Sequence, residues 1–227
     1  MSLLHIWSQY EVKNVETQRR MALAQQSWRG LRWRDVPVPD STLPRLFVEG
    51  ALRMPYIRDL FDVGIRGADS NDIAVFTNAD IGMAPRSDVA VALAMQVNDA
   101  GYGNRRDFGH KLLGLPSEQD IRNAATYCGT DLFFFRVAWW QLYRTEFPDM
   151  LIGREAWDAC MRVLIEASNP HKPLSLDCLC WHERHGGVNY WENPKLRYSL
   201  PGQIHNLSLA KRFVRKYGYD PATFGIR

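Results

Sequence analysis

The sequence predicts an α/β fold: a single domain of 227 residues built on a central mixed sheet with helices on both faces. Strand-like apolar runs alternate with amphipathic helical segments along most of the chain, the pattern of a sheet covered by crossover helices. Three of the runs, "LLHIW", "DIAVF" and "DLFFF", lack the period-two alternation of a half-exposed strand, which suits inner strands buried on both faces. A chain of 227 residues also buries roughly 70–75% of its unfolded surface, so it needs no disulfide or metal staple.

Taken in order, "LLHIW" reads as a strand and "ETQRRMALAQQSW" as a helix with Met21, Leu23 and Ala24 inward. "LRWRDVPV" returns as a short strand. "GALRMPYIRDLFDVGIRG" reads as a helix in which Pro55 must occupy the first turn or kink it. "DIAVFTNADI" is the buried strand, and "SDVAVALAMQVND" a helix capped by Ser87. The Gly- and charge-rich "AGYGNRRDFGHKLLGLPSEQDI" reads as loop with a short helix. "TDLFFFRV" gives a further strand and "GREAWDACMRVLIEA" a helix. "PLSLDCLCWHERHGG" is a strand leaving into a loop, and "NLSLAKRFVRKYG" a last helix ending at Gly218.

The composition excludes several classes. A net charge of +3, from 28 basic and 25 acidic residues spread along the chain, is too weak for a nucleic-acid stripe. A local patch able to bind a polyanionic small molecule remains compatible with it. The start "MSLLHIWSQY" lacks a basic region followed by a long apolar core, so no signal peptide is expected. No apolar run approaches the ~20 residues of a membrane span. Cys128, Cys160, Cys178 and Cys180 are too few for a disulfide framework in a chain this long. The expected location is the cytoplasm, with reduced thiols.

The chemistry-bearing candidates cluster in five stretches. Asp80 and Asn78 offer oxygen ligands where "DIAVF" runs out, and open α/β sheets bind ligands at the carboxyl ends of their strands. Mg²⁺ or Mn²⁺ would suit such oxygens; an Asx-type turn is the plain alternative. In "DCLCWHERH", His182 and His185 stand three apart after a strand, which fails the metalloprotease pattern of histidines four apart on a helix. Cys178, Cys180 and His182 alternate onto one strand face, but Cys178 and His182 would lie about 13 Å apart, too far for one tetrahedral ion. Asp158 on its helix is a candidate general base, against the alternative of an ion-pair ladder with Arg154 and Arg162 at i−4 and i+4. Asp131 precedes three phenylalanines and is otherwise a turn residue. Arg105 and Arg106 in "GNRRDF" could meet phosphate, or only water.

Taken together, "MPYIRDLF…DIAVFTNADIGM", "NRRDF", "GTDLFFF", "IGREAWD" and "LDCLCWHERHGGVNYW" follow one another as in a group of glycosyltransferase-like proteins. The chain resembles the A-type (GT-A) nucleotide-sugar transferase fold from about Leu52 to Tyr190. The resemblance implies a nucleoside diphosphate sugar as donor, an acceptor that is a glycan or small molecule rather than nucleic acid, and a divalent cation, Mn²⁺ or Mg²⁺. It places Asp80 at the metal or diphosphate, Asp131 near the donor sugar, Asp158 near the acceptor, and His182 or His185 near the diphosphate and metal. Asn78 stands where the first acid of the family's Asp-x-Asp motif belongs, which removes one charge from a metal site. Glu183 and Arg184 replace neutral polar residues, and the expected tyrosine is displaced to Tyr190.

The leading expectation is therefore a glycosyltransferase, with Asp158 and Asp131 catalytic. The donor would be held by Ser8, Arg58, Asn78, Asp80, Arg105, Arg106 and Arg154, and the metal by Asp80, His182 and His185. Ser8 and Gln9 would end the first strand, and Arg58 would approach the base or a phosphate, unless it only pairs with Asp62 one helical turn on. The competing readings are a non-catalytic nucleotide- or sugar-binding protein on the same fold, and a metal-dependent hydrolase.

Overall fold

The computed structural model describes residues 1–169, 174–184 and 199–226. The sheet strands are β1 (Leu3–Gln9), β2 (Arg34–Pro39), β5 (Ile73–Thr77), β6 (Ile81–Met83), β7 (Ala100–Phe108), β8 (Ala125–Arg136) and β9 (Leu174–Glu183). They form one seven-stranded sheet in the order β2-β1-β5-β8-β7-β9-β6. β1 is parallel to β2 and β5, and β7 to β9, whereas β8 runs against β5 and β7, and β6 against β9. Five strands thus point the same way, and the carboxyl ends of β1, β5, β7 and β9 share one edge. A separate hairpin, β3 (Leu46–Glu49) with β4 (Leu52–Pro55), lies outside this sheet.

Helices cover both faces because successive strand side chains point opposite ways. Ala74 and Phe76 of β5, with Phe133 and Phe135 of β8, pack against α2 (Ile57–Gly64), α5 (Val137–Tyr143), α6 (Trp157–Ser168) and α7 (Pro201–Lys216). Ile73, Val75, Leu132 and Phe134 face the other way, onto α1 (Val15–Trp28) and α3 (Ser87–Ala94). The run "LFFF" is apolar throughout because its residues divide between two cores, all of them fully buried. No helix among the described residues is long and apolar enough to cross a membrane.

Four local expectations are corrected. Pro55 ends strand β4 and precedes α2; with no N–H to give, it sits where the ladder closes rather than inside a helix. Ser87 is the first residue of α3 and not its cap; Arg86, in the left-handed region at φ 61°, holds the cap position. Most of "AGYGNRRDF" is the nine-residue strand β7. Gly103 is needed for close approach: a Cβ there would come within 2.9 Å of Leu132 and 3.0 Å of the Leu176 carbonyl. The expected alternation of Cys178, Cys180 and His182 is broken by a bulge. Gly103 pairs with Leu176, but Arg105 pairs with Cys180, and Cys178 at φ 60° absorbs the extra residues. Cys178 consequently packs with Phe108 and Trp181, while Cys180 packs with Leu132 and Phe134 on the opposite face.

Candidate functional site

The site grows from the end of β5. Thr77 pairs with Leu132, so Asn78 and Asp131, each one residue beyond that pair, meet: the Asn78 amide donates to Asp131 Oδ1 at 3.1 Å. Ile81 N–H donates to the Asn78 carbonyl, closing the tight link that carries Asp80. Ile81 pairs with His182 across β6 and β9, which brings Asp80 Oδ2 to 3.4 Å from His182 Nε2. On the other side His182 pairs with Asp107 of β7, and its Nδ1 lies 3.5 Å from Asp107 Oδ1.

Arg105 stands two residues before Asp107, on the same strand face. Its Nε donates to Asp107 at 2.8 Å and its Nη1 to Asp131 at 2.9 Å, with the guanidinium 3.7 Å above the Tyr127 ring. Asp80, His182, Asp107, Arg105, Asp131 and Asn78 therefore form a chain of contacts at one sheet edge, its two ends joined by the backbone of the tight link. Burial would push His182 down, but Asp107 and Asp80 outweigh it and hold the imidazole above its ordinary value. Asp107 goes the other way: burial disfavours its charge, yet His182 and Arg105 bring it below the usual carboxylate range.

Asp158, in the first turn of α6, shares a cleft of about 340 Å³ with Arg105, Tyr127, Asp131, Arg154 and Trp157. Burial, and then the charge of Asp131, push its carboxyl up to about 6; backbone N–H groups of Ala159, Asp158 and Thr130 oppose the rise. The ladder with Arg154 and Arg162 does not form. Arg154 lies before the helix and pairs with Glu49 of the β3–β4 hairpin, and Arg162 pairs with Glu166 at 2.7 Å.

The remaining candidates lie in different surroundings. Ser8, buried near the end of β1, has an Oγ without a hydrogen-bond partner among the described residues. Arg58 donates to the Phe147 carbonyl and lies 3.5 Å from Asp149, while Asp62 instead takes Trp140 Nε1 at 2.8 Å and Arg144 at 3.1 Å. Arg106 points away from Arg105 and pairs with Asp177 and Thr126. His185 and Tyr190 lie outside the described residues. Among the described residues no three His, Cys, Asp or Glu side chains form a group able to hold a metal.

Two residues escaped the sequence reading. Asp107 was legible only once β7 was a strand, since Arg105 and Asp107 then share a face. Tyr10, just past β1, has its phenol pushed up to about 12 by burial and by the charges of Asp80 and Asp40, which ties the end of β1 to the Asp80 link.

No protein-family model matches the chain, and no curated protein sequence does. Among solved structures, Staphylococcus aureus TarS 1–349 in complex with UDP-GlcNAc matches over 98% of this chain and 74% of its own, with a TM-score of 0.50 and 12% identity. The fold is glycosyltransferase-like. TarS 1–349 in a second structure gives 0.48 at 12% identity over 98% of this chain and 73% of its own, and TarS gives 0.49 at 11% over 96% and 43%. At 12% identity the likeness to TarS 1–349 is one of fold, and the chemistry of the chain rests on its own residues.

Proposed function

We propose that residues 1–227 form one GT-A-type unit that transfers a sugar from a nucleoside diphosphate donor to a hydroxyl of a glycan or small molecule. The observation that carries this reading is the convergence of Asp80, His182, Asp107, Arg105 and Asp131 at the carboxyl edge of the sheet, beside an Asp158 poised near neutrality. UDP-GlcNAc in the TarS complex makes UDP-sugars the first donors to test.

Four of these residues have a task in such a transfer. The acceptor oxygen bonds to the anomeric carbon while the bond to the diphosphate breaks, and the diphosphate leaves with the electron pair. Asp158 takes the acceptor proton; a carboxyl near 6 is a stronger base than an ordinary one and still mostly ionised at pH 7. Arg105 offers positive charge toward the leaving group, and the carboxylates of Asp107 and Asp80, which raise the His182 pKa, favour a cationic imidazole beside it. With the imidazole neutral instead, Asp80 and His182 fit a divalent ion, because ligands at ~2.1 Å from one metal lie roughly 3.0–3.4 Å apart, matching their 3.4 Å separation. Bound there, Mg²⁺ or Mn²⁺ would neutralise diphosphate charge.

One observation favours the binding-protein alternative. Asn78 replaces a carboxylate and spends its amide on Asp131, so it adds no charge for a metal. Calorimetry with UDP- and GDP-sugars, with and without Mn²⁺, followed by assay for released nucleotide, separates the readings. Binding with sugar transfer supports the enzyme, binding without turnover the alternative, and phosphoester cleavage without transfer a hydrolase.

A further inference from the structure

A second and larger cavity, of about 600 Å³, opens where β7 ends, between the loop at residues 109–116, the short helix α4 (Glu118–Asn123) and the start of β8. We propose that this cavity seats the acceptor, and that the acceptor is an uncharged, hydroxylated amphipath, in class a glycoside with an apolar substituent. The acceptor role rests on the transferase reading above; the ligand chemistry rests on the cavity itself.

Its walls combine Phe108, Leu112, Leu115 and Pro116 with the carboxylates of Asp107 and Asp120. Neither Lys nor Arg lines it among the described residues; His110 does, and Asp107 is paired with Arg105, so the carboxylate of Asp120 is the charge a nucleoside diphosphate would meet here. That charge disfavours the donor, and a neutral molecule is admitted: hydroxyls can donate to the carboxylates while an apolar group covers the leucines. Leu115 remains 45% exposed at this wall, apolar surface that such a group would bury.

The cavity is held open. Both backbone groups of Leu112 are pinned: its N–H donates to Glu183 Oε2 at 2.8 Å and its carbonyl accepts from Arg19 Nη1 at 3.1 Å. Arg19 also pairs with Glu183, and Lys111 with Glu16 at 3.2 Å, so α1 and β9 clamp the loop. On the far wall a reciprocal Ser117–Asp120 cap fixes α4. A preformed cavity of this size and mixed lining is what small-molecule sites require. It also adjoins the chemistry. Asp107 lines it, and Arg105, bonded to Asp107 at 2.8 Å, lines the cleft that holds Asp158. The Asp107–Arg105 pair thus connects the cavity to the cleft that holds the base.

The test uses hexyl β-glucopyranoside as probe, titrated by calorimetry into the wild-type chain, Leu115→Asp, Ala125→Trp, and Leu142→Asp as an exposed-leucine control on α5. Circular dichroism confirms that each variant is folded. The expected result is saturable binding that weakens roughly tenfold or more in Leu115→Asp and Ala125→Trp, is unchanged in Leu142→Asp, and is not competed by glucose 1-phosphate. No saturable binding to the wild-type chain, or equal binding in all variants, overturns the proposal. UDP is titrated separately. Absence of UDP binding refutes the transferase reading and the acceptor role with it, whereas UDP binding without Leu115-dependent glucoside binding refutes the acceptor cavity alone.

Discussion

Asp80 and His182 face each other across the β6–β9 pairing, carboxylate oxygen to imidazole nitrogen, at 3.4 Å. One residue lies just before a strand and the other near the end of its antiparallel partner, so the contact depends on register alone. If the pair acts on one diphosphate, or on one metal shared with it, the two residues form a unit. Asp80→Ala should lower transfer on the order of a hundredfold or more, the scale of losing one charge-stabilising group. His182→Ala should act similarly, and the double variant should lose much less than the product of the two. Steady-state rates for the four proteins decide it; strictly multiplicative losses would assign the residues to separate tasks.

Asp158 makes two opposed predictions from one shift. Its carboxyl titrates near 6 in the folded chain against an ordinary 3.8, so the folded state binds more protons between these values. Stability attributable to Asp158 therefore falls as pH rises through that window, and at pH 7 its charge is a net cost. Asp158→Asn should raise stability by on the order of 1–3 kcal/mol at pH 7 and leave it nearly unchanged at pH 3. The same substitution should lower turnover while UDP binding persists, and should remove the acidic limb of the pH–rate profile near 6. Urea unfolding at both pH values is the check, and a destabilised variant at pH 7 would contradict the burial argument.

The sequence made the sheet legible where the physics is local. "LLHIW", "DIAVF" and "DLFFF" are inner strands because unbroken apolar runs survive only between two cores, and β1, β5 and β8 occupy such places. It misread β7, whose glycines and charges look like a loop. Gly103 is required there by crowding from Leu132 and Leu176, and the charges satisfy one another within the strand and across to β8. Asp80, Asn78, Asp131, Arg105 and His182 were all visible as polar residues near apolar runs. What connects them was not, because the Cys178 bulge decides which side of β9 His182 faces, and a bulge is set by tertiary pairing. Arg58 and Arg106 illustrate the converse. Their neighbours Phe147, Asp149 and Asp177 lie 89, 91 and 71 positions away in sequence, beyond any local pattern.

Gly82 follows Asp80 because nothing larger fits. A Cβ there would lie 2.1 Å from two ring carbons of Trp181, which is 1% exposed and donates its Nε1–H to the Met83 carbonyl. The indole has no space to yield, so Gly82→Ala must displace β6 and with it the Asp80 link. We expect a loss of about 1–3 kcal/mol in urea unfolding together with weaker UDP binding. Gly109→Ala, where a Cβ meets nothing within 4 Å, should change stability little. Equal behaviour of the two variants would show that Trp181 does not constrain the link.

His5 supplies the last prediction, through a lock beneath the same strand end. Its Nδ1 lies 3.1 Å from Asp35 on β2 and its Nε2 2.9 Å from Thr77 on β5, with Trp28 edge-on and Trp33 stacked at 4.4 Å. A carboxylate only accepts, so the Nδ1 proton points to Asp35 and Nε2 takes the Thr77 hydroxyl. The ring ties three parallel strands together one residue before Asn78. Burial lowers its pKa despite the favourable charge of Asp35. The unfolded chain takes up the proton near ~6.5 and the folded chain only at lower pH, so the contribution is complete above that value. It is lost as pH falls toward the depressed folded value. His5→Gln should destabilise the protein at pH 7.5 by losing packing and hydrogen bonds. The gap between wild type and variant should narrow at pH 5, where only the wild type has begun to lose this contribution. Urea midpoints at the two pH values measure it, and a gap that stays constant or widens on acidification would mean that His5 is already protonated inside the fold.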